Sequence, residues 1–150
     1  MKLTIYTDYS LRVLIYLTTL EENEKTNIKE IASAYGISKN HLMKVIFQLG
    51  KLGLIDTTRG RNGGIRLALE PNEINIGSVV RQTEDDLNIV ECFNTEQNTC
   101  AISPACKLKG VLHQALKAYL EVLDQYTLAD LTQNQSLLKE LLQQDKSTSH

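Results

Sequence analysis

Apolar residues recur every three or four positions through the first third of the chain, a spacing that predicts helices with one buried face. The first helix is expected from Asp8 to Thr19, with Thr7 or Asp8 as its cap. After the polar loop EENEKT, a second helix opens at Asn27 in a variant of the capping box, and it ends at Gly36.

A third helix follows after the short turn YGIS, and Ser38 is expected to cap it from Lys39 to about Leu52. Two helices so closely joined are typical of a helix-turn-helix, although a plain helical hairpin has the same pattern. The first residues of a recognition helix reach base edges, where lysine suits guanine and asparagine suits adenine. His41 fits a phosphate contact or plain solvation equally well. The candidate DNA contacts on this helix are Ser38, Lys39, Asn40, His41 and Lys44.

The next segment, LIDTTRGRNGGIRLAL, alternates apolar and polar residues on both sides of a glycine-rich loop, which predicts a β-hairpin. The loop is expected from Arg59 to Gly64. Asn62 followed by Gly63 is a strong turn signal, because both residues accept positive φ. A helix-turn-helix followed by a hairpin is a winged helix. Arg59 and Arg61 at the tip would enter the minor groove or bind phosphate, unless they serve only solubility.

A further helix, capped by Asn75 and ending near Thr83, is expected to close a DNA-binding domain of residues 1–83. The predicted fold class is mainly α with a small β-hairpin wing. It consists of a winged helix-turn-helix followed by a long dimerisation helix.

Residues 84–106 show no regular pattern and are assigned to a loop. Ser103 and Pro104 then have the form of a helix start, and the long helix has its body at residues 107–127. Residues 128–150 are expected to add short helical pieces and a loose tail. An apolar row repeats along the long helix at spacings of four, three, four and three. This row suits pairing with a second copy of the chain or burial against its own domain, and it comprises Leu112, Leu116, Tyr119, Leu123 and Tyr126.

The charge of the chain is unevenly distributed. Its formal net charge is −2, yet the segment from Lys39 to Arg66 carries six basic residues and only one acid, Asp56. A basic module in an acidic protein is typical of a nucleic-acid face, although a solvated patch of lysines gives the same balance.

The N-terminal run MKLTIYTDYSLRVLIYL is apolar, but Asp8 and Arg12 interrupt it and no small-residue cleavage site follows. No stretch approaches a membrane span. We therefore expect a cytoplasmic protein with no membrane partner. Because cytoplasmic thiols are kept reduced, clustered cysteines there favour metal binding over disulfides.

All three cysteines of the chain, Cys92, Cys100 and Cys106, lie within fifteen consecutive residues. A structural zinc site usually shows Cys-x-x-Cys pairs or four N/S ligands, and neither is present here. Thiolates on a loop suit an iron-sulfur cluster, but three cysteines leave one ligand to be found. From spacing alone, a cluster, zinc and unliganded thiols all stay open. Cys106 is expected in the first turn of the long helix. The chain has no Cys-x-x-Cys motif and no base paired with a thiol, and both absences argue against a thiol oxidoreductase.

Four segments together resemble the bacterial winged-helix regulators that carry an iron-sulfur cluster, and most closely their nitric-oxide-sensitive members. They are TDYSLRVLIYL, NIKEIASAYGISKNHLMKVIFQLGKLGLI, RGRNGGIRLA and the cysteine loop. The resemblance covers nearly the whole chain. A sister regulator of cluster assembly has a histidine as fourth ligand three residues after its last cysteine, where this chain has Lys109; His113 lies one turn further. A sister regulator of cysteine metabolism lacks the three cysteines.

The resemblance implies a cytoplasmic homodimeric repressor, not an enzyme, that binds palindromic operator DNA and is released when its cluster reacts with nitric oxide. It further implies a cluster, [4Fe-4S] rather than [2Fe-2S], held by Cys92, Cys100, Cys106 and Asp8 of the partner subunit. A carboxylate oxygen is a more replaceable ligand of iron than a thiolate, so one iron would be open to a small diatomic. Asp8 also fits an ordinary helix cap. The alternatives are an iron-sulfur or redox regulator of another signal, and a winged-helix protein-interaction module with structural zinc.

Overall fold

The structure is a computed structural model that describes residues 1–144. Its helices and strands, in chain order, are α1 (Ile5–Thr18), α2 (Ile28–Tyr35), α3 (Lys39–Lys51), β1 (Ile55–Thr58), β2 (Gly64–Leu67), α4 (Ile76–Thr83), α5 (Lys107–Asp124), α6 (Leu128–Leu131) and α7 (Gln135–Gln144). Short 3-10 turns lie at Pro71–Glu73, Glu91–Phe93 and Ser103–Ala105. The predicted fold class, mainly helical with a small hairpin, is confirmed. The expected tail at residues 146–150 lies outside the described part of the chain.

The predicted caps of α2, α3 and α4 are present. The side chains of Asn27, Ser38 and Asn75 each accept a hydrogen bond from the backbone N–H three residues further on, at 2.9, 3.2 and 3.0 Å. Each such cap stabilises a helix by about 1 kcal/mol. Gly36 ends α2 with a φ of 67°, which is the left-handed conformation that favours glycine. The helix-turn-helix is therefore built from local signals.

The predicted start of α1 is wrong. The helix begins at Ile5, before Asp8, and Thr4 is its cap. A distant residue explains the difference, because the Glu84 carboxylate accepts hydrogen bonds from the Thr4 backbone N–H at 3.1 Å and the Thr7 hydroxyl at 2.9 Å. A carboxylate at a helix N-terminus also interacts favourably with the helix dipole. The end of α4 thus fixes where α1 begins.

The core surrounds α1, which contacts α3, α4, α6, α7 and β2. Several of its side chains are fully inaccessible, and burying each one contributes roughly 1.5–3 kcal/mol relative to exposure. The core includes Val13, Leu14 and Leu17 of α1, Ile31 of α2, Leu42, Val45 and Leu49 of α3, Val79 of α4 and Leu128 of α6. This packing holds the helix-turn-helix, the hairpin and the C-terminal helices in one unit.

The hairpin pairs β1 and β2 in antiparallel register, with Ile55 opposite Leu67. Ile65 of β2 is buried, and it exchanges two backbone hydrogen bonds with Thr26, at 3.0 and 2.8 Å. The wing is thereby attached to the loop before α2.

The tip of the hairpin turns differently from the prediction. The backbone N–H of Gly63 donates to the Gly60 carbonyl at 3.0 Å, and Gly60 has a φ of 97°. Asn62 and Gly63 are not among the described residues with positive φ. Gly63 is required for a different reason, since a Cβ there would lie 2.3 Å from the Thr58 carbonyl oxygen. Close approach of the two strands, not φ, excludes a larger residue.

The long helix α5 begins at Lys107, because residues Ser103–Ala105 form a separate 3-10 turn. Cys106 has an extended backbone and is the residue before the helix, so its predicted place in the first turn is wrong. The far end of α5 is fixed to α4, where Arg81 forms an ion pair with Asp124. This pairing lowers the pKa of Asp124 and raises that of Arg81.

The predicted short helical pieces after α5 are confirmed as α6 and α7. Thr127 and Asp130 form a reciprocal capping box at the start of α6. The α7 helix packs back onto α1 and α2, and Lys139 donates to Glu21 at 3.0 Å. Along the 144 described residues, no helix combines the length and apolar character needed to cross a bilayer.

Candidate nucleic-acid interface and cysteine loop

The five residues predicted as DNA contacts on the recognition helix are all exposed at its N-terminal end: Ser38, Lys39, Asn40, His41 and Lys44. The opposite face of α3 is buried in the core. His41 lies beside α1, with its ring centroid 6.1 Å from that of Tyr9. The start of α3 is therefore free to meet a ligand and backed by α1.

Arg59, Arg61 and Asn62 are exposed at the tip of the wing, as the sequence predicted. The hairpin tip has a support that the sequence did not reveal. Lys25 donates from Nζ to the Asn62 carbonyl at 2.9 Å and reaches the Thr58 hydroxyl at 3.5 Å. The wing arginines are thus presented on a braced loop.

A groove of about 840 Å³ separates α3 from the wing. Its lining combines basic side chains with two large apolar residues of α3 that sequence reasoning missed, Met43 and Phe47. The basic members are Lys44, Lys51 and Arg59. Both basic elements of the candidate interface therefore border one concave surface.

The three cysteines lie on one loop and carry free thiols. Cys92 is in the 3-10 turn Glu91–Phe93, and Cys106 immediately precedes α5; both are half-buried, whereas Cys100 is exposed. Asn98 organises the middle of the loop, because its side chain accepts from the Cys100 backbone N–H at 3.1 Å and donates to the Ser103 hydroxyl at 2.8 Å.

A ring stack attaches this loop to α5. The rings of Phe93 and His113 are parallel within 2° and their centroids are 3.8 Å apart. His113 is thereby placed beside the turn that carries Cys92. Glu91 in the same turn accepts a hydrogen bond from the Thr99 hydroxyl at 2.8 Å. Among residues 1–144 of the single chain, no group of three or more His, Cys, Asp or Glu side chains is arranged to hold a metal ion.

Asp8 lies in the first turn of α1 and is held by Arg12, which sequence reasoning did not assign. Arg12 donates from Nε and Nη2 to the two carboxylate oxygens of Asp8, at 3.1 and 3.0 Å. The i, i+4 spacing of an acid and a base was the available signal. Asp8 therefore has an ion-pair partner and is not the cap of its helix.

Arg12 connects Asp8 to α2. Its guanidinium lies 5.7 Å from the ring centroid of Tyr9 and 5.9 Å from that of Tyr35. The Tyr35 hydroxyl donates to the Arg12 carbonyl at 2.7 Å. Burial raises the pKa of Tyr35 to about 12, so this hydroxyl keeps its proton at neutral pH. A contiguous set of contacts thus runs from Asp8 to the helix-turn-helix.

The apolar row predicted for pairing of the long helix is partly buried in its own domain, while its members Tyr119 and Tyr126 are exposed. Leu112, Leu116 and Leu123 are half-buried, and Leu123 packs against the core. A different row is exposed, at spacings of three, four, three and four along α5. It comprises Leu108, Val111, Ala115, Ala118 and Val122, and its three large members are 60%, 57% and 53% exposed. Sequence spacing could not separate the two rows, because both have helical periodicity.

A helix-turn-helix with an exposed basic recognition helix, braced by a hairpin wing, defines a winged-helix transcriptional regulator. Residues 3–134 match the Rrf2 family, described as an iron-dependent transcriptional regulator. The chain belongs to the Rrf2 family.

Relatives with assigned names agree with this membership. The chain is 66% identical over 142 residues to the HTH-type transcriptional regulator NsrR of Bacillus licheniformis, covering 95% of this chain and 99% of that protein. It is 63% identical over 142 residues to NsrR of Bacillus subtilis, covering 95% and 97%. The resemblance drawn from the sequence motifs is confirmed, and the chain is a transcriptional regulator, not an enzyme.

Two solved structures have a similar fold. IscR of T. potens matches with a TM-score of 0.71 and 28% identity, covering 89% of this chain and 88% of the other. The oxidized form of Staphylococcus aureus CymR matches with a TM-score of 0.72 and 26% identity, covering 89% and 97%. Both proteins thus share the fold of this chain over most of their length.

Proposed function

We propose that this protein is a cytoplasmic homodimeric repressor that binds palindromic operator DNA, carries an iron-sulfur cluster and releases the operator when nitric oxide reacts with that cluster. The single observation that carries the proposal is the presence, in one folded unit, of a basic winged helix and a loop of three free thiols. The similarity to proteins named NsrR supports the assignment of nitric oxide as signal.

The proposed DNA interface consists of the N-terminal end of α3 and the wing tip. Lys39, Asn40 and Lys44 would read base edges in the major groove, with Ser38 and His41 positioned for the adjacent phosphates. Arg59 and Arg61, with Asn62 and Gly63 in the tip between the strands, would contact the neighbouring backbone or minor groove. All of these residues except half-buried Gly63 are exposed. Ser38 also caps α3, so a phosphate would share the Ser38 hydroxyl with the His41 backbone N–H.

The donor set of the cysteine loop fits an iron-sulfur cluster. Cys92, Cys100 and Cys106 would provide three thiolates, the ligands that such clusters take, from a loop without strand or mid-helix constraint. We propose [4Fe-4S] as the cluster type, with [2Fe-2S] as the other candidate. Asp8 of the partner subunit would be the fourth ligand, as the resemblance to the nitric-oxide-sensitive regulators implies. When bound, the cluster would supply an oxygen-ligated iron accessible to nitric oxide.

Coupling to DNA would run through the contacts of Asp8. Its carboxylate is bonded to Arg12, which packs between the rings of Tyr9 and Tyr35. Tyr9 contacts His41 of the recognition helix, and Tyr35 ends α2. A change of partner at Asp8 would therefore shift side chains that support α3. The cluster state would alter the placement of the recognition helix without unfolding it.

The exposed row of α5 supports the homodimer. Helices pair through apolar residues at alternating spacings of three and four, which is the spacing of this row. A dimer would place two recognition helices on half-sites about one turn of DNA apart, roughly 34 Å. The proposed ligand set further requires that this dimer place Asp8 of one subunit beside the cysteine loop of the other.

The test is a parallel anaerobic titration of three forms of the protein onto one duplex, obtained by selection from random sequences with the loaded form. The forms are the protein as purified with its cluster, the same protein after nitric oxide, and the protein stripped of iron. We expect visible absorption and tight binding only for the first form. Because coupling is reciprocal, the operator should also slow cluster loss.

Cys92→Ala, Cys100→Ala and Cys106→Ala are the matched variants, and each should be colourless when purified. Equal affinity of the three forms for the duplex would exclude the sensor. A colourless wild-type protein that contains zinc would instead favour a winged-helix module with structural zinc.

A further inference from the structure

The exposed face of the recognition helix carries a row at spacings of four, three and four: Asn40, Lys44, Phe47 and Lys51. At 3.6 residues per turn these positions form one stripe along α3. Three of the four have polar or charged heads that suit DNA, but Phe47 is an aromatic ring in the middle of the stripe. It is 64% exposed, and Met43 on its flank is 56% exposed.

Neither apolar side chain contributes to the core. The residues of α3 that pack inward are Leu42, Val45, Ile46 and Leu49, and of these Ile46 also borders the groove. The Phe47 ring is instead approached by the Lys51 ammonium, which lies 5.4 Å from its centroid. Scattered exposed apolar residues are ordinary, but a phenylalanine and a methionine one turn apart on a ligand-binding stripe form a small apolar patch.

The charge around this patch indicates its occupant. Met43 and Phe47 line the groove between α3 and the wing. The charged residues of the same groove are three bases, Lys44, Lys51 and Arg59, and one acid, Asp56. A surface that combines an apolar patch with an excess of basic side chains is complementary to a DNA major groove, where phosphates flank the base edges. Within the DNA major groove, the methyl group of thymine is the apolar feature among the base edges.

We propose that Phe47 and Met43 are specificity-determining residues that recognise thymine through its C5-methyl group. This inference rests on the proposed operator binding. Side chains without hydrogen-bonding groups cannot read the donors and acceptors of the bases, so methyl contact is the discrimination available to them. Lys44 and Asn40, about one and two turns nearer the start of α3 than Phe47, read the polar edges of neighbouring base pairs.

The test removes the methyl groups one at a time. In the duplex selected by the loaded wild-type protein, each thymine is replaced singly by deoxyuridine, which differs only at C5. Binding is measured by fluorescence anisotropy. We expect one or more positions in each half-site where the wild-type affinity falls about fourfold, the equivalent of one buried methyl group. Phe47→Ala should bind the parent duplex more weakly and lose the response at those positions, and Met43→Ala should identify any second position.

Leu141→Ala is the matched control, because Leu141 is 51% exposed on α7, outside the interface. It should keep the wild-type response at every thymine. Thermal unfolding of Phe47→Ala should match that of the wild type, since the ring is outside the core.

Operator binding and thymine recognition are tested by different outcomes. If the wild-type protein selects no duplex, the proposed function is wrong and this inference with it. If it selects a duplex but responds to no deoxyuridine, or if Phe47→Ala responds as the wild type does, only the thymine-reading assignment is overturned.

Discussion

At the scale of single residues, the Asp8 carboxylate is the group on which the sensor proposal depends most. In the single chain both of its oxygens accept hydrogen bonds from Arg12. The ion pair is about half-exposed, with side-chain accessibilities of 42% for Arg12 and 47% for Asp8. Exposed pairs of this kind contribute only about 0–1 kcal/mol. Asp8 can therefore give up its hydrogen bonds to Arg12 and bind a metal ion at a small cost in free energy.

Asp8→Ala should yield a protein that still binds a cluster through its three cysteines but loses it faster. The reason is that one iron would lose its carboxylate ligand while the thiolates remain. The measurement is the decay of visible absorbance after an iron chelator is added to anaerobic protein. Glu121→Ala is the control, since Glu121 is also an exposed carboxylate in an i, i+4 ion pair, with Lys117.

Identical decay in Asp8→Ala, Glu121→Ala and the wild type would place the fourth ligand elsewhere. His113 and Glu91 would then be tested. His113 is stacked on Phe93 next to Cys92, and Glu91 adjoins Cys92 in the chain.

At the scale of elements, the wing divides its arginines between two surroundings. Arg59 and Arg61 are at the exposed tip, and Arg59 borders the groove beside α3. Arg66 in β2 instead lines a depression together with Glu21, Glu22 and Glu24 of the α1–α2 loop. One hairpin thus presents basic residues to two different surfaces. The groove bordered by Arg59 adjoins the recognition helix, and the depression lined by Arg66 does not.

Arg59→Ala and Arg61→Ala should each weaken operator binding and make it less dependent on salt. Each phosphate contact contributes about 0.9 to the slope of log affinity against log salt, so the slope should fall by about one per variant. Anisotropy titrations at several salt concentrations measure it. Arg66→Ala removes the same charge from the depression that Glu21, Glu22 and Glu24 line. It should leave the slope unchanged. A slope equal to the wild type in both tip variants would remove the wing from the interface.

At the scale of the whole molecule, the orientation of α5 decides how two copies can meet. The helix is fixed to α4 by the Arg81–Asp124 ion pair and by the Asn75 side chain, which donates to the Asp124 carbonyl at 2.7 Å. Gly77 permits this contact, because a Cβ there would lie 1.8 Å from the Asp124 carboxylate. The attachment sets which side of α5 is left exposed.

Val111→Glu should therefore convert the dimer to a monomer at micromolar concentration. Two glutamates would face each other across the proposed seam, whereas within one chain the new residue can pair with Lys107 one turn earlier. Sedimentation velocity measures the change. Leu137→Glu makes a similar apolar-to-acidic change at a position 51% exposed on α7 and should remain dimeric. A dimer that survives Val111→Glu would mean that the copies meet through another surface.

Much of the fold and part of the site could be predicted from the sequence, because the signals involved are local. The caps at Asn27, Ser38 and Asn75 act on a backbone group three residues away. The buried face of α3 follows from its own helical period. For the same reason the exposed residues at its N-terminal end, and the arginines of the wing tip, were identified correctly as surface positions.

Other features depend on which segments pack together, and sequence spacing carries no information about that. Glu84 sets the start of α1 from the far end of the domain, and Asp124 helps to decide which row of α5 is exposed. The partnership of Arg12 with Tyr35 and the stack of Phe93 on His113 likewise join residues distant in the chain.

The sequence by itself determined the helix-turn-helix, the wing, the three clustered thiols and the family, since these consist of residue types and short spacings. Only the tertiary structure decided that Asp8 is paired and not a cap, that Cys106 precedes its helix, and that Phe47 is exposed. The physical reason is that exposure and partnership are properties of the packed core. A side chain is buried or free according to what distant segments place beside it.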